Sequence, residues 1–326
     1  MTTSPTRGHK LVAYAVRRLL HAVPVLLGVT VVVFLTMKLV PGDQAEALLG
    51  PQGTPEGIAE IRHTLGLDQP IYVQYARWIW RVVHGDFGYS WNLGRPAVDV
   101  LVPKITNTLI LGVTSFLLAV LLGVTGGVVA AVRSYSWVDR ASVGLGVLIG
   151  NAPPFWLGLV LVFVFSIALG TFPSEGIHDL RNPGGLPDLL RHLALPALTT
   201  AAAPGAIILR QVRSSIIDTR QQDFVRVAYA KGLLRWVVFW RHIFRAALPP
   251  VITISGLQLG YLMGGAIFSE VVFAWPGLGL QLYLAVTARD LAVVQGAVLF
   301  IATAFVTINL VVDLLVMVAN PRLRST

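Results

Sequence analysis

Side chains able to do covalent chemistry are scarce in this 326-residue chain, and those present are spaced wrongly for it. No cysteine occurs, which excludes a thiol nucleophile, a thiolate metal site and a disulfide framework. The histidines, at positions 9, 21, 63, 84, 178, 192 and 242, form no H-E-x-x-H and show no ligand-like spacing within one helix. No metal site is therefore expected. No lysine follows a glycine, so the phosphate-cradling G-x-x-x-x-G-K signature is missing and ATP has no usual site here. No G-x-S-x-G elbow presents a serine. No residue is assigned a catalytic role, and no cofactor is expected in the chain itself.

What remains is the chemistry of recognition, concentrated between Asp218 and Pro250 in DTRQQDFVRVAYAKGLLRWVVFWRHIFRAALPP. Asp218 or Thr219 can cap a short helix that ends at Gly232. Phe224, Val227 and Ala228 then share one face, with Arg220, Arg226 and Lys231 around the rest. A short helix with an apolar knob can insert into a groove on a partner. The same composition also describes a solvated basic loop with an interfacial amphipathic helix. Aromatic residues interleave with the cations as they do in nucleic-acid binders, but membrane topology accounts for the pattern, so no nucleic acid is expected.

The elements that must position this loop follow from composition. Of the residues, 55% are hydrophobic and only 13% charged, and mean hydropathy is +0.72. A soluble protein carries about a quarter charged residues, so the chain reads as an all-α polytopic membrane protein. Six stretches approach the ~20 apolar residues that a span needs. They run over residues 19–40, 109–132, 141–169, 193–217, 246–274 and 291–318. Pro196 and Pro204 interrupt the fourth, and Asn151-Ala152-Pro153-Pro154 should kink the third. The first is longer than the apolar core of a cleaved signal, so it is expected to stay despite Ala45-Glu46-Ala47. Of the 25 lysines and arginines, sixteen fall on one side: those at 7, 10, 17, 18, 133, 140, 322 and 324, and the eight loop cations at 210, 213, 220, 226, 231, 235, 241 and 245. That majority makes both termini cytoplasmic.

The organisation that follows is a cytoplasmic segment 1–18, the first span 19–40, an extracytoplasmic helical segment 41–103, a five-helix core 104–318 carrying the loop 218–245, and a cytoplasmic tail 319–326. In the 41–103 segment, Thr54-Pro55-Glu56 starts a helix that stops at Gly66. A second helix runs from Ile71 to His84, with Tyr72, Tyr75, Ala76, Ile79, Trp80 and Val83 on one apolar stripe. Such a stripe fits interfacial packing or a platform for an external partner.

Within the spans, Asn107, Asn151, Glu270, Asn309 and Asp313 are costly unless they meet a cavity or a partner. They are candidates for a translocation pathway, or for structural hydrogen bonds and ion pairs. Glu270 lies near the outer end of the fifth span, within reach of water or of a loop it could anchor. Gly256, Gly260 and Gly264 repeat as GxxxG, as do Gly123/Gly127 and Gly146/Gly150, which predicts close helix approach.

The basic loop, read in order, resembles the signature of ATP-binding-cassette importer permeases, an EAA…G motif followed by Leu-Pro. It is most similar to the dipeptide/oligopeptide/nickel branch, whose variant is D-[YF]-V-R-x-A-x-A-K-G-L…R-H-x-x-R-x-A-L-x-P. Here it stands as Asp223 to Leu233, then Arg241-His242, Arg245 and Ala247-Leu248-Pro249. Arg226 replaces the acidic residue of the general motif, and the Leu-Pro falls several residues late; both are features of that branch. The likeness extends through RRLLHAVPVLLGVTVVVFLTMKLVPGD (17–43), GDFGYSW (85–91), TNTLILG (106–112), APPFWLGLVLVFVFS (152–166), FPSEG (172–176), SEVVFAWPGLG (269–279) and the end of the chain.

The resemblance implies a type I ABC-importer permease fold with six transmembrane helices in the cell membrane. It also implies that Asp223, Phe224, Arg226, Val227, Ala228, Ala230, Lys231, Gly232, Arg241, His242 and Arg245 couple the chain to an ATPase. The partners it implies are a second homologous permease, two ABC ATPase subunits carrying ATP and Mg, an extracytoplasmic binding protein and the lipid bilayer. Di- or oligopeptides are the expected cargo, with nickel or another small solute as the alternative. Two readings from other classes stay open. A secondary transporter would show an internal repeat with paired broken helices, and a membrane enzyme would need a convergent catalytic cluster. The sequence displays neither.

Overall fold

The computed structural model describes residues 7–39, 49, 53–64, 66–179 and 184–319. Ala45–Ala47, Arg181 and the basic tail with Arg322 and Arg324 lie outside them. Among the described residues the chain is almost entirely helical, with one two-stranded antiparallel hairpin pairing Tyr89 with Pro96 and Ser90 with Arg95.

Helix α1 (Arg7–Leu39) carries the first apolar stretch and continues through Pro24. Two shorter helices follow, α2 (Pro55–Thr64) and α3 (Ile71–Val83). The expected start and stop of α2 are present: Thr54 Oγ1 accepts from Gly57 N at 3.3 Å, and Gly66 takes φ +66°, a left-handed conformation that glycine adopts without steric cost. After the hairpin, α4 (Ala97–Val132) begins well before the apolar stretch at 109 and carries Pro103 internally. The helix that carries the second apolar stretch therefore begins at residue 97.

The third apolar stretch departs most from expectation. It forms two helices, α5 (Trp137–Gly150) and α6 (Pro154–Leu161). A wider π-helical stretch, Val162–Ala168, continues α6, and the two arms are bent by 108° at the break. A kink is replaced by an elbow. Neither Pro153 nor Pro154 has an N–H to give the end of α5, and Pro154 sits at the first position of α6, where that loss is harmless. Asn151 Nδ2 instead donates to Val147 O at 2.6 Å.

Helix α7 (Leu186–Arg220) runs unbroken past Pro196 and Pro204 and is largely buried. The basic loop follows with helix α8 (Asp223–Ala230). A short turn Arg235–Val237 and a second π-helical stretch, Val238–Phe244, then lead into α9 (Arg245–Val272). The chain ends with α10 (Leu278–Thr287) and α11 (Leu291–Ala319). Among the described residues, five helices are long and apolar enough to cross a membrane, and the count is six if the α5–α6 pair is one span.

The chain forms two compact units. One is built on Leu109–Trp275 with the last helix from Thr307, the other on Tyr14–Thr108 and Pro276–Val306. In the first, α4 and α7 approach through glycine. A Cβ at Gly123 would lie 2.8 Å from Gly205 O, and one at Gly127 would lie 2.6 Å from Val212 Cβ. A Cβ at Gly150 would meet Ala206 Cβ at 2.6 Å, and one at Gly260 would meet Asn309 Oδ1 at 2.6 Å, whereas Gly264 faces open space. Gly123 and Gly127 thus both make close approaches, Gly150 does so where Gly146 does not, and Gly260 does so where Gly264 does not.

An ion pair clamps the same unit. Asp139, in the first turn of α5 behind its N-cap Ser136, receives Arg213 Nε at 2.5 Å, Arg213 Nη2 at 2.7 Å and Tyr135 N at 2.8 Å. Arg220 Nη1 donates to Ala131 O at 3.1 Å. Arg213, counted by sequence among the loop cations, is thus a structural group of the helix packing.

In the second unit, Ala97, Val100 and Leu101 pack with Leu278, Ala285, Val293, Val294 and Ala297. Ser90 Oγ donates to Asp290, whose other carboxylate oxygen receives Val293 N at 3.3 Å. The hairpin is thereby fixed to the start of α11. Phe34, Trp78 and Leu299 form a further cluster with Tyr75, Ile79 and Val82 around it. The buried face of α3 is therefore 75/78/79/82. Tyr72, Ala76, Trp80 and Val83 of the expected stripe are exposed, because α1 takes up the neighbouring sector of the helix.

Candidate functional site

The basic loop joins the two most tightly packed helices of its unit, α7 and α9. The expected cap does not form where the sequence places it. Thr219 lies inside α7, buried, with Oγ1 donating to Ser215 O at 2.7 Å. A two-residue turn, Gln221-Gln222, then precedes α8, whose first-turn Asp223 suits the positive end of the helix dipole. The stop is as expected in position and richer in detail. Gly232 N donates to Tyr229 O at 2.9 Å and Leu233 N to Ala228 O at 3.4 Å, while Gly232 takes φ +75°. This is the paired-bond helix ending that needs a left-handed residue.

The apolar residues of α8 divide between two faces. Val225 and Ala228 are buried and join Val212, Ile216, Val238, Ile243, Ala247 and Val251 in one core cluster. Val225 is 1% exposed and Val227 is 52% exposed. Phe224 and Val227 therefore point away from the chain's own core, and Ala228 does not share their face as the sequence suggested. Burying Val225 contributes roughly 1.5–3 kcal/mol to holding the helix on α7 and α9. Beyond Gly232, Leu234 and Trp236 are exposed as well. The result is a short helix fixed by one side, presenting an apolar and cationic surface on the other.

Around that surface Arg226, Ala230, Lys231, Arg241 and Arg245 are exposed. Arg226 Nη1 lies 3.6 Å from Asp223 Oδ1 with both side chains solvated, a pairing that contributes little. His242 sits in the π-helical stretch with its Nδ1 buried and without a hydrogen-bond partner among the described residues. Of the eleven residues the resemblance assigns to coupling, all but Ala228 and His242 are exposed.

The in-span polar residues are best taken one at a time. Asn107 Nδ2 donates to Pro276 O at 2.9 Å, beside Thr108 Oγ1, which accepts from Leu278 N at 2.8 Å; both tether the turn before α10. Asn151 caps the elbow. Glu270 is 0% exposed, so it does not reach water; Trp275 N donates to its backbone carbonyl at 2.9 Å, closing the end of α9. Asn309 lies against Gly260, and Asp313 is half-buried on α11. Sequence reasoning missed Asp139–Arg213 and Ser90–Asp290. Their partners lie 74 and 200 positions apart, and no local spacing announces them.

Comparison with known proteins agrees with this architecture. Residues 123–325 match the family described as binding-protein-dependent transport system inner membrane component, and residues 11–112 match the N-terminal model of the same kind of component. The chain is 37% identical to the dipeptide transport system permease protein DppB of Alkalihalophilus pseudofirmus, covering 96% of this chain and 100% of that one. It is 42% identical to the glutathione transport system permease protein GsiC of Salmonella paratyphi A, covering 95% and 98%. It is 40% identical to a putative peptide transport system permease of Brucella abortus, covering 96% and 99%. Among solved structures, a chain of the inward-facing MetNI methionine ABC transporter aligns with a TM-score of 0.53 at 16% identity, over 68% of this chain and 96% of that one. That likeness concerns the fold alone. With helices that span the membrane, a basic loop held between two of them, and family matches over nearly its whole length, the chain belongs to the binding-protein-dependent transport system inner membrane component family and is a multi-pass membrane permease of an ABC importer.

Proposed function

We propose that this permease forms half of a translocation pathway for di- or oligopeptides, delivered by an extracytoplasmic binding protein and driven by ATP hydrolysis in separate subunits. The cargo class rests on relatives named as dipeptide, peptide and glutathione permeases. The pathway is completed by a second homologous permease, and two ABC ATPases carry the ATP and Mg. The chain itself contributes no catalytic group.

The observation that carries the coupling role is the division of α8 into an anchored and a free face. Val225 and Ala228 lie in the same cluster as residues of α7 and α9. A push on Phe224 and Val227 is therefore delivered to both helices rather than absorbed by a slack loop. Interiors packed at protein density transmit displacement, so the loop acts as a rigid shoe under two spans. The basic rim of Arg226, Lys231, Arg241 and Arg245 favours an acidic or carbonyl-rich groove on the ATPase.

The test is transport and ATPase activity in vesicles containing the whole assembly. Phe224→Asp leaves the fold intact, abolishes cargo uptake and cuts cargo-stimulated ATP hydrolysis to the basal rate. Val225→Asp instead prevents stable assembly, because it buries a charge in the core. Gly232→Leu acts through the backbone, since its Cβ would meet nothing within 4 Å but a left-handed leucine costs about 1–2 kcal/mol. Normal uptake by Phe224→Asp would remove the coupling role from this helix.

A further inference from the structure

The face of α3 that its own chain leaves uncovered has a chemical character and a depth, and together they point to an occupant. Tyr72 is 74%, Trp80 67% and Val83 74% exposed. At about 100° per residue these three and Ala76 fall within a sector of roughly 80°. The next sector round the helix carries Arg77 and Arg81, both exposed, and the remaining one packs on α1. Three faces thus follow each other around one helix: protein, apolar-aromatic and cationic.

The depth comes from the contacts with α1. Tyr75 Oη lies 2.8 Å from Thr30 Oγ1, and the ring centroids of Trp78 and Tyr75 lie 5.7 and 5.4 Å from that of Phe34. The apolar stretch of α1 runs up to Lys38, the basic residue of its last turn. At ~1.5 Å per residue, Thr30 and Phe34 sit about 12 and 6 Å inside that residue. Lys38 Nζ, 5.9 Å from the Phe34 ring centroid, marks the polar boundary there. Interfacial helices bury their apolar face about 5–10 Å into the boundary between headgroups and acyl chains. The α1 surface at the same level, Val31, Val32 and Leu35, is exposed and apolar too.

We infer that α3 is an interfacial membrane anchor: Tyr72, Ala76, Trp80 and Val83 lie in the bilayer at the headgroup–acyl boundary, and Arg77 and Arg81 face the lipid phosphates. Tyrosine and tryptophan are the side chains enriched at that level. The anchor holds the first span and the segment after it at a fixed depth. It depends on α1 crossing the membrane and not on the cargo or on the coupling role of α8.

The absence of cysteine makes the test direct. Single cysteines at 72, 76, 80 and 83, and separately at 77 and 81, are spin-labelled in the assembled transporter. The assembly, binding protein included, is reconstituted in phosphatidylethanolamine–phosphatidylglycerol vesicles. Power saturation then compares collisions with oxygen, which concentrates in lipid, and with a water-soluble nickel chelate. The expected result is oxygen dominating at 72, 76, 80 and 83, with the order reversed at 77 and 81. Domination by the chelate at all six positions would place the face in water, and loss of both collisions at 72–83 would place it under a partner protein; either overturns the inference. Ala76→Cys is the least disruptive of the set and keeps the test valid if an aromatic replacement misfolds.

Discussion

At the scale of single residues, the largest consequences attach to groups that hold helices together rather than to groups in the loop. Asp139 accepts from both Arg213 and the Tyr135 backbone, so removing its carboxylate strands a guanidinium and an N–H together. Because Arg213 keeps 27% side-chain exposure, water softens the loss to about 1–3 kcal/mol. Asp139→Ala and Arg213→Ala each lower the thermal midpoint of the solubilised complex, and the double variant lowers it no further than the worse single. Strictly additive shifts would mean the two do not act as a pair. None of this was legible in sequence. Arg213 read as one cation among eight, and only folding brings a residue 74 positions away against it. Glu270 shows the same limit, since its place near a span end suggested access to water and its packing removes it.

At the scale of elements, helices were legible wherever apolar runs, glycine and proline agree. The start of α2 at Thr54-Pro55 and the end of α8 at Gly232 depend on local backbone rules and emerge at the expected positions. The buried side of α3 does not, because its apolar residues admit two helical stripes, 72/76/80/83 and 75/78/79/82. Which one is buried depends on where α1 lies. The false cap at Thr219 has a similar origin: α7 outlasts its apolar stretch, so a residue that looks like a boundary sits within a helix. Helix spacing supplies the prediction at this scale. Gly127→Ala places a methyl 2.6 Å from Val212 Cβ and 2.7 Å from Leu209 O, forcing α4 and α7 apart at a cost of roughly 1–3 kcal/mol. Gly264→Ala, facing open space, leaves the stability of the chain unchanged. Thermal unfolding of the two variants side by side distinguishes a packed stripe from a free one.

At the scale of the whole molecule, hydropathy made the membrane-spanning class legible, and the order of short motifs made the family legible. Composition could not show that the third span is two helices, since Asn151-Ala152-Pro153-Pro154 fits a modest kink as well as a 108° turn. Charge asymmetry sets the expected sidedness, with the basic loop inside and the hairpin outside. A cysteine replacing Lys231 is accordingly expected to react with an impermeant thiol reagent only from the cytoplasmic face of inverted vesicles. A cysteine replacing Trp91, exposed on the hairpin, reacts only in intact cells. Labelling of both from one face would invert or break the topology.

The elbow between α5 and α6 restricts what can surround it. Each arm, at about 1.5 Å per residue, reaches only some 21–23 Å, short of the ~30 Å hydrocarbon layer. Asn151 and Ala152 serve the carbonyls of Val147 and Ile149 at the end of α5, but Pro154, four residues beyond Gly150, has no hydrogen to lend to the Gly150 carbonyl. Oil cannot satisfy that carbonyl. The exposed outer side of this corner must therefore be bathed by solvent or clothed by another polypeptide, which makes it a wet or shared vertex within an otherwise greasy wall.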